Sequence, residues 1–179
     1  MSPRWAIAAA LALGVLSLAV HAQSRDPDME ADEEGKTWQE IQAELPAYPK
    51  PDNLVPLDLG KTIAHRFYID TTSLALGADG VMRYTAVIKT TGGATNVTFE
   101  GMRCETREQK LYALGRSDGT WVRPRESKWR RIEIRELVPY HNVLYREYFC
   151  PVRTLPTQPK RAAEALRRGI GLTSVPPIY

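Results

Sequence analysis

Between His65 and Arg123 apolar and polar positions alternate with a period of two, and the alternation is broken at Ala78-Asp79-Gly80, Thr91-Gly92-Gly93 and Ser117-Asp118-Gly119. Alternation of this kind turns one face of a strand to a core and the other to water, and glycine supplies the positive φ that a tight hairpin needs. The pattern predicts an antiparallel meander with strands near residues 65–76, 81–90, 95–104, 110–116 and 120–124. In its second strand Met82, Tyr84, Ala86 and Ile88 are expected to share the buried face, while Arg83, Thr85 and Lys89 project from a mostly wet face beside Val87.

Outside the meander the spacing lengthens. In TWQEIQAEL, Thr37 and Glu40 have capping-box spacing and Trp38, Ile41 and Leu45 fall on one side, which predicts a short helix. The following PAYPKPDNLVP holds four prolines and is expected to run extended over the surface as a connector. In VPYHNVLYREYFCP, Val143, Leu144, Tyr148 and Phe149 suit a short helix stopped by Pro151, although the aromatics would also suit a strand. A last helix is expected over 159–168, with Thr157 as cap, Pro159 in its first turn, Gly169 at its end and Lys160, Arg161, Arg167 and Arg168 on its polar side. These elements add up to an α+β fold, an antiparallel sheet of about five strands with flanking helices packed on one face.

The N-terminus lies outside that pattern. An apolar run from Trp5 to Val20 follows a lone Arg4 and precedes Val20-His21-Ala22. It holds about sixteen apolar or small residues, short of the roughly twenty that span a bilayer, and small side chains stand three and one positions before the junction. Residues 1–22 therefore read as a cleavable signal peptide that delivers the chain to the periplasm from Gln23 onward, with no transmembrane anchor after cleavage. Residues 23–36 form an acidic leader expected to be disordered, residues 37–170 a single α+β domain, and residues 171–179 a C-terminal tail. Net charge hides an asymmetry: residues 26–34 carry six acids and no base, whereas the chain from Gly35 carries 22 bases against 15 acids. Export also changes the reading of Cys104 and Cys150, the only cysteines, which become expected disulfide partners in an oxidising compartment.

Candidate chemistry is sparse. After cleavage only His65 and His141 remain, neither in a ligand spacing, so no metal site and no cofactor are expected. A triad of Ser73 or Ser117 with His65 or His141 and Asp70 has no motif to support it, and Gly92-Gly93 lacks the lysine and helix of a phosphate loop. No catalytic residue is assigned. The segment WVRPRESKWRRIEIR is richer, because Arg123, Arg125, Arg130 and Arg131 are interleaved with Trp121 and Trp129. Guanidinium forks match phosphate and carboxylate and an indole can stack on a ring, so these six are the candidate binding residues, with at least one indole expected in solvent beside the arginines.

DGVMRYTAVIKTTGGATNVTFEGMRC, KLYALGRSDGTW and YREYFCP occur in that order, and together they resemble the cryptic neisserial protein family over roughly Trp38 to Gly169, leaving the acidic leader outside. The resemblance implies an exported envelope protein of bacteria with undefined activity, and it brings no catalytic residues. The expected function is non-enzymatic: a binding or structural factor that engages an anionic envelope component or an acidic protein. The alternative is a periplasmic hydrolase using His65 or His141. No nucleic-acid partner is expected, since an exported protein rarely meets the chromosome.

Overall fold

A computed structural model of the chain describes residues 37–133 and 139–173, so the expected signal peptide, the acidic leader and most of the expected C-terminal tail lie outside the described residues. Residues from Trp38 onward cluster as one unit. Its sheet has seven strands rather than five: β1 Leu54–Leu57, β2 Arg66–Leu76, β3 Val81–Lys89, β4 Thr95–Arg103, β5 Glu108–Gly115, β6 Trp121–Val122 and β7 Arg130–Arg131. All pairings are antiparallel, in the order β1-β2-β3-β4-β5-β6, with β7 also on β5. The three glycine turns fall where the alternation breaks, with φ of 73°, 85° and 83° at Gly80, Gly93 and Gly119.

The two extra strands are short and carry little periodicity. β1 lies inside the proline-rich connector and pairs Pro56 with Tyr68 at the sheet edge, where a missing N–H is tolerated. β7 is two residues long. The strand expected over 120–124 shrinks to β6, with Pro124 two residues beyond its end.

One sheet face carries Phe67, Ile69, Met82, Tyr84, Ala86 and Met102, all buried against the helical layer. That layer starts with α1, Tyr140–Val143, and widens into a π-helical turn over Leu144–Phe149 that the Cys150 N–H closes onto the Tyr145 carbonyl at 2.9 Å. The helix expected before Pro151 thus forms, with a wider second half. The final helix, α2 Pro159–Arg168, ends at Gly169 with φ of 63°, as expected. Its N-cap is Gln158 rather than Thr157; Thr157 is buried, and its N–H donates to the Phe149 carbonyl at 2.7 Å. Cys104, just past β4, and Cys150, at the end of the π turn, are bonded with Sγ atoms 2.03 Å apart, tying the helical layer to the sheet.

The other face departs from expectation. Arg83, Thr85 and Val87 are buried, not wet. Residues 38–48, which take in most of the helix expected over 37–45 and the start of the proline-rich connector, have no regular structure and run over this face as a strap, with the Ile41 carbonyl on Arg83.

Candidate anion-binding surface

The strap is held by side chains of the sheet. The Arg83 guanidinium forks onto both Asp79 oxygens at 3.0 and 2.6 Å and donates to the Ile41 carbonyl at 2.8 Å, while Asp79 accepts the Ile41 N–H at 3.0 Å. Asp79 is thereby held below the usual carboxylate range: burial pushes its pKa up, but the hydrogen bonds from Arg83, Ile41 and Val81 outweigh that. Trp38 donates to the Asp79 carbonyl and stacks on the Arg103 guanidinium, 3.6 Å from the ring centroid. Glu40, expected to close a capping box, instead accepts from Lys110 at 2.7 Å and from the Trp129 indole at 3.1 Å. These bonds lower its pKa against the opposing effect of burial.

The strap also settles where the two candidate tryptophans go. Trp121 donates to the Pro46 carbonyl at 2.9 Å and packs on Tyr48, with centroids 5.4 Å apart. Trp129 sits edge-on to Trp38, with centroids 5.9 Å apart. Both indoles are half-buried beneath or beside the strap instead of open to solvent, because the strap supplies the partner that the alternation alone left unassigned. Arg123, Arg125, Arg130 and Arg131 are all exposed. Glu126 pairs with Arg130 at 3.2 Å and with Lys128 at 2.6 Å, exposed contacts of the kind worth at most about 1 kcal/mol each. The surface is thus basic but not aromatic.

On the opposite face lies a group that the candidate residues did not include. Glu100, opposite Tyr84 in the β3–β4 ladder, is 3% exposed and accepts from the Tyr84 hydroxyl at 2.7 Å and the Tyr140 hydroxyl at 2.8 Å. Its Oε2 lies 2.9 Å from His141 Nε2, and the Tyr140 ring tilts against the imidazole at 3.8 Å. Burial alone would raise the Glu100 pKa, but the charge and hydrogen bond of His141 and the hydroxyl donors bring it down to about 2. His141 forms one wall of a cleft of about 250 Å³ with Lys128 and Arg130 among its other lining residues.

The remaining candidates separate. His65 lies in a different cleft, lined by β1 and the end of α2. Ser73 donates to the Asp70 carbonyl and accepts the Thr85 N–H, both at 2.8 Å, which spends its hydroxyl on the irregular stretch of the β2–β3 ladder. Asp70 accepts from Thr72, and Ser117 is exposed on a hairpin. The structure therefore brings His141 to Glu100 and does not bring Ser73, Asp70 and a histidine together as a triad. Among the described residues no group of three or more His, Cys, Asp or Glu side chains could hold a metal, and no helix is long and apolar enough to cross a membrane.

Comparison with curated proteins and with solved structures returned no match. The model of the CNP1-like family matches residues 33–167, beginning within the acidic leader that was expected to fall outside the resemblance. That span contains the strap, every strand of the sheet and both bonded cysteines. The chain belongs to the CNP1-like family.

Proposed function

We propose that this CNP1-like protein is exported to the periplasm by cleavage after Ala22 and serves there as a non-enzymatic binding or structural factor, whose basic surface engages an anionic envelope component or an acidic protein. The observation that carries this reading is that Arg123, Arg125, Arg130 and Arg131 all reach solvent from one short segment while its two tryptophans are committed to the strap. The ligand is met by charge and guanidinium geometry, not by stacking. The Cys104–Cys150 bond fits an oxidising compartment. Titration of the mature protein with phosphatidylglycerol vesicles and with polyglutamate should give binding that weakens as salt rises, as exposed charge requires. The variant R123E/R125E/R130E/R131E should lose at least about tenfold in affinity, roughly 1.4 kcal/mol. Salt-independent binding, or unchanged affinity in the variant, removes the reading.

The hydrolase reading keeps one specific observation, the bond between Glu100 and His141 beside a cleft, since a buried carboxylate that orients an imidazole is a recurring arrangement at catalytic sites. Tyr140, one hydroxyl lining that cleft, donates to Glu100 and is not positioned as a nucleophile. Turnover of ester or phosphate substrates that His141→Ala abolishes would favour this second reading.

A further inference from the structure

Away from both surfaces, β1, the loop 58–65 and the C-terminal end of α2 enclose a cleft of about 560 Å³, within the range of small-molecule sites. Its two halves differ in chemistry. One is apolar: Leu57, Phe67 and Leu166 are buried core residues, and Val55, Leu59 and Ile63 pack half-buried against them. The other is cationic, with Arg66, Arg167 and Arg168 exposed along the lining.

The loop at the lip of the cleft is ordered by its own backbone. Gly60, at φ of 87°, turns the loop, and the Asp58 carboxylate accepts the Gly60 N–H at 2.8 Å, so the lone acid on the lining is turned into its own backbone. Arg167 is braced toward β2 by donating to the Thr71 hydroxyl at 2.9 Å. Among the described residues the carboxylate paired with Arg168 is Glu164, 3.9 Å away in an exposed contact that offers little competition. His65, also on the lining, has a buried Nδ1 with no hydrogen-bond partner among the described residues.

We propose that this cleft binds a fatty-acid anion, its acyl chain lying on the half-buried Val55, Leu59 and Ile63 and its carboxylate held by Arg66 and Arg168. An apolar trough next to guanidinium groups matches a single chain with a negative head. A compact polar solute would leave the trough in water, and a neutral lipid would leave the arginines unmatched. The site is separate from the segment 123–131, so it stands or falls independently of the basic surface proposed above.

Displacement of a dansyl-labelled fatty acid by oleate, followed by fluorescence, provides the test, with native mass spectrometry giving stoichiometry. One oleate per chain is expected. Oleyl alcohol, which keeps the chain and removes the charge, should bind at least tenfold more weakly. Arg66→Glu and Arg168→Glu, both at exposed positions, should each weaken oleate at least tenfold, and Ile63→Glu should abolish binding, with circular dichroism confirming that each variant folds. The variant R123E/R125E/R130E/R131E should bind oleate normally. Equal affinity for oleate and oleyl alcohol, preference for lysophosphatidylcholine, or indifference to all three cleft substitutions overturns the proposal.

Discussion

Glu100 is the residue whose position says most about this fold. An ionised carboxylate with 3% exposure persists because Tyr84, Tyr140 and His141 converge on its two oxygens, replacing the water it lost. Its folded pKa, near 2, lies below the ordinary 4.5. A depressed carboxylate contributes stability above its unfolded pKa, and that contribution is lost as pH falls from about 4.5 through about 2. Urea unfolding of the wild type should therefore lose a few kcal/mol over that acid window, and Glu100→Gln should start less stable and show a flatter acid limb. An unchanged acid limb in the variant would falsify the role given to Glu100. The sequence held a faint signal: Met102 and Glu100 alternate onto the face that Met82 and Tyr84 share. It was not legible because Asn96 and Thr98 continue the same side as polar residues, and the partners that make burial tolerable lie 16, 40 and 41 positions away.

At the scale of elements, the meander was legible and the strap was not. Strands β2 to β5 follow period-two alternation and glycine turns, local signals that tertiary packing reinforces. TWQEIQAEL carried an equally local signal, a capping box, and it lost to long-range bonds: Asp79 and Arg83 take the main chain of Ile41, and Lys110 and Trp129 take Glu40. A marginal helix of nine residues contributes too little by itself to resist such contacts. The same competition misplaced the tryptophans, since an indole that reads as a ligand platform in isolation becomes a clamp once a strap lies on it. With Arg83 and Asp79 side chains only 8% and 0% exposed, Arg83→Ala leaves a buried carboxylate without its cation and should cost about 3 kcal/mol or more. The readout that singles out the strap is limited proteolysis: cleavage should appear first within residues 38–48, before global unfolding. Equal protection of that segment in Arg83→Ala and wild type would show that these bonds do not hold it.

For the whole molecule, stability depends on how two unlike layers are joined. The sheet face of Phe67, Met82 and Met102 and the helical face of Leu144, Phe149 and Leu166 make one apolar core, and the Cys104–Cys150 bond fastens the layers where β4 ends and the π turn stops. That bond was legible because the sequence holds two cysteines and so one possible intramolecular pair, in a chain expected to be exported. The layer it joins was only half legible, since the aromatic run before Cys150 suited a strand as well as a helix. Spanning 46 positions, the crosslink restricts the unfolded chain by about 4 kcal/mol in the chain-entropy picture. For a domain of this size each kcal/mol moves the midpoint by roughly 2–4 °C, so Cys104→Ser/Cys150→Ser should melt roughly 8–16 °C below the oxidised protein. Reduction of the wild type should reproduce that shift, whereas Arg83→Ala should add to it nearly independently, because the strap lies on the opposite face of the sheet from the helical layer. Coincident melting of the reduced and oxidised proteins would mean that the apolar core alone holds the layers together.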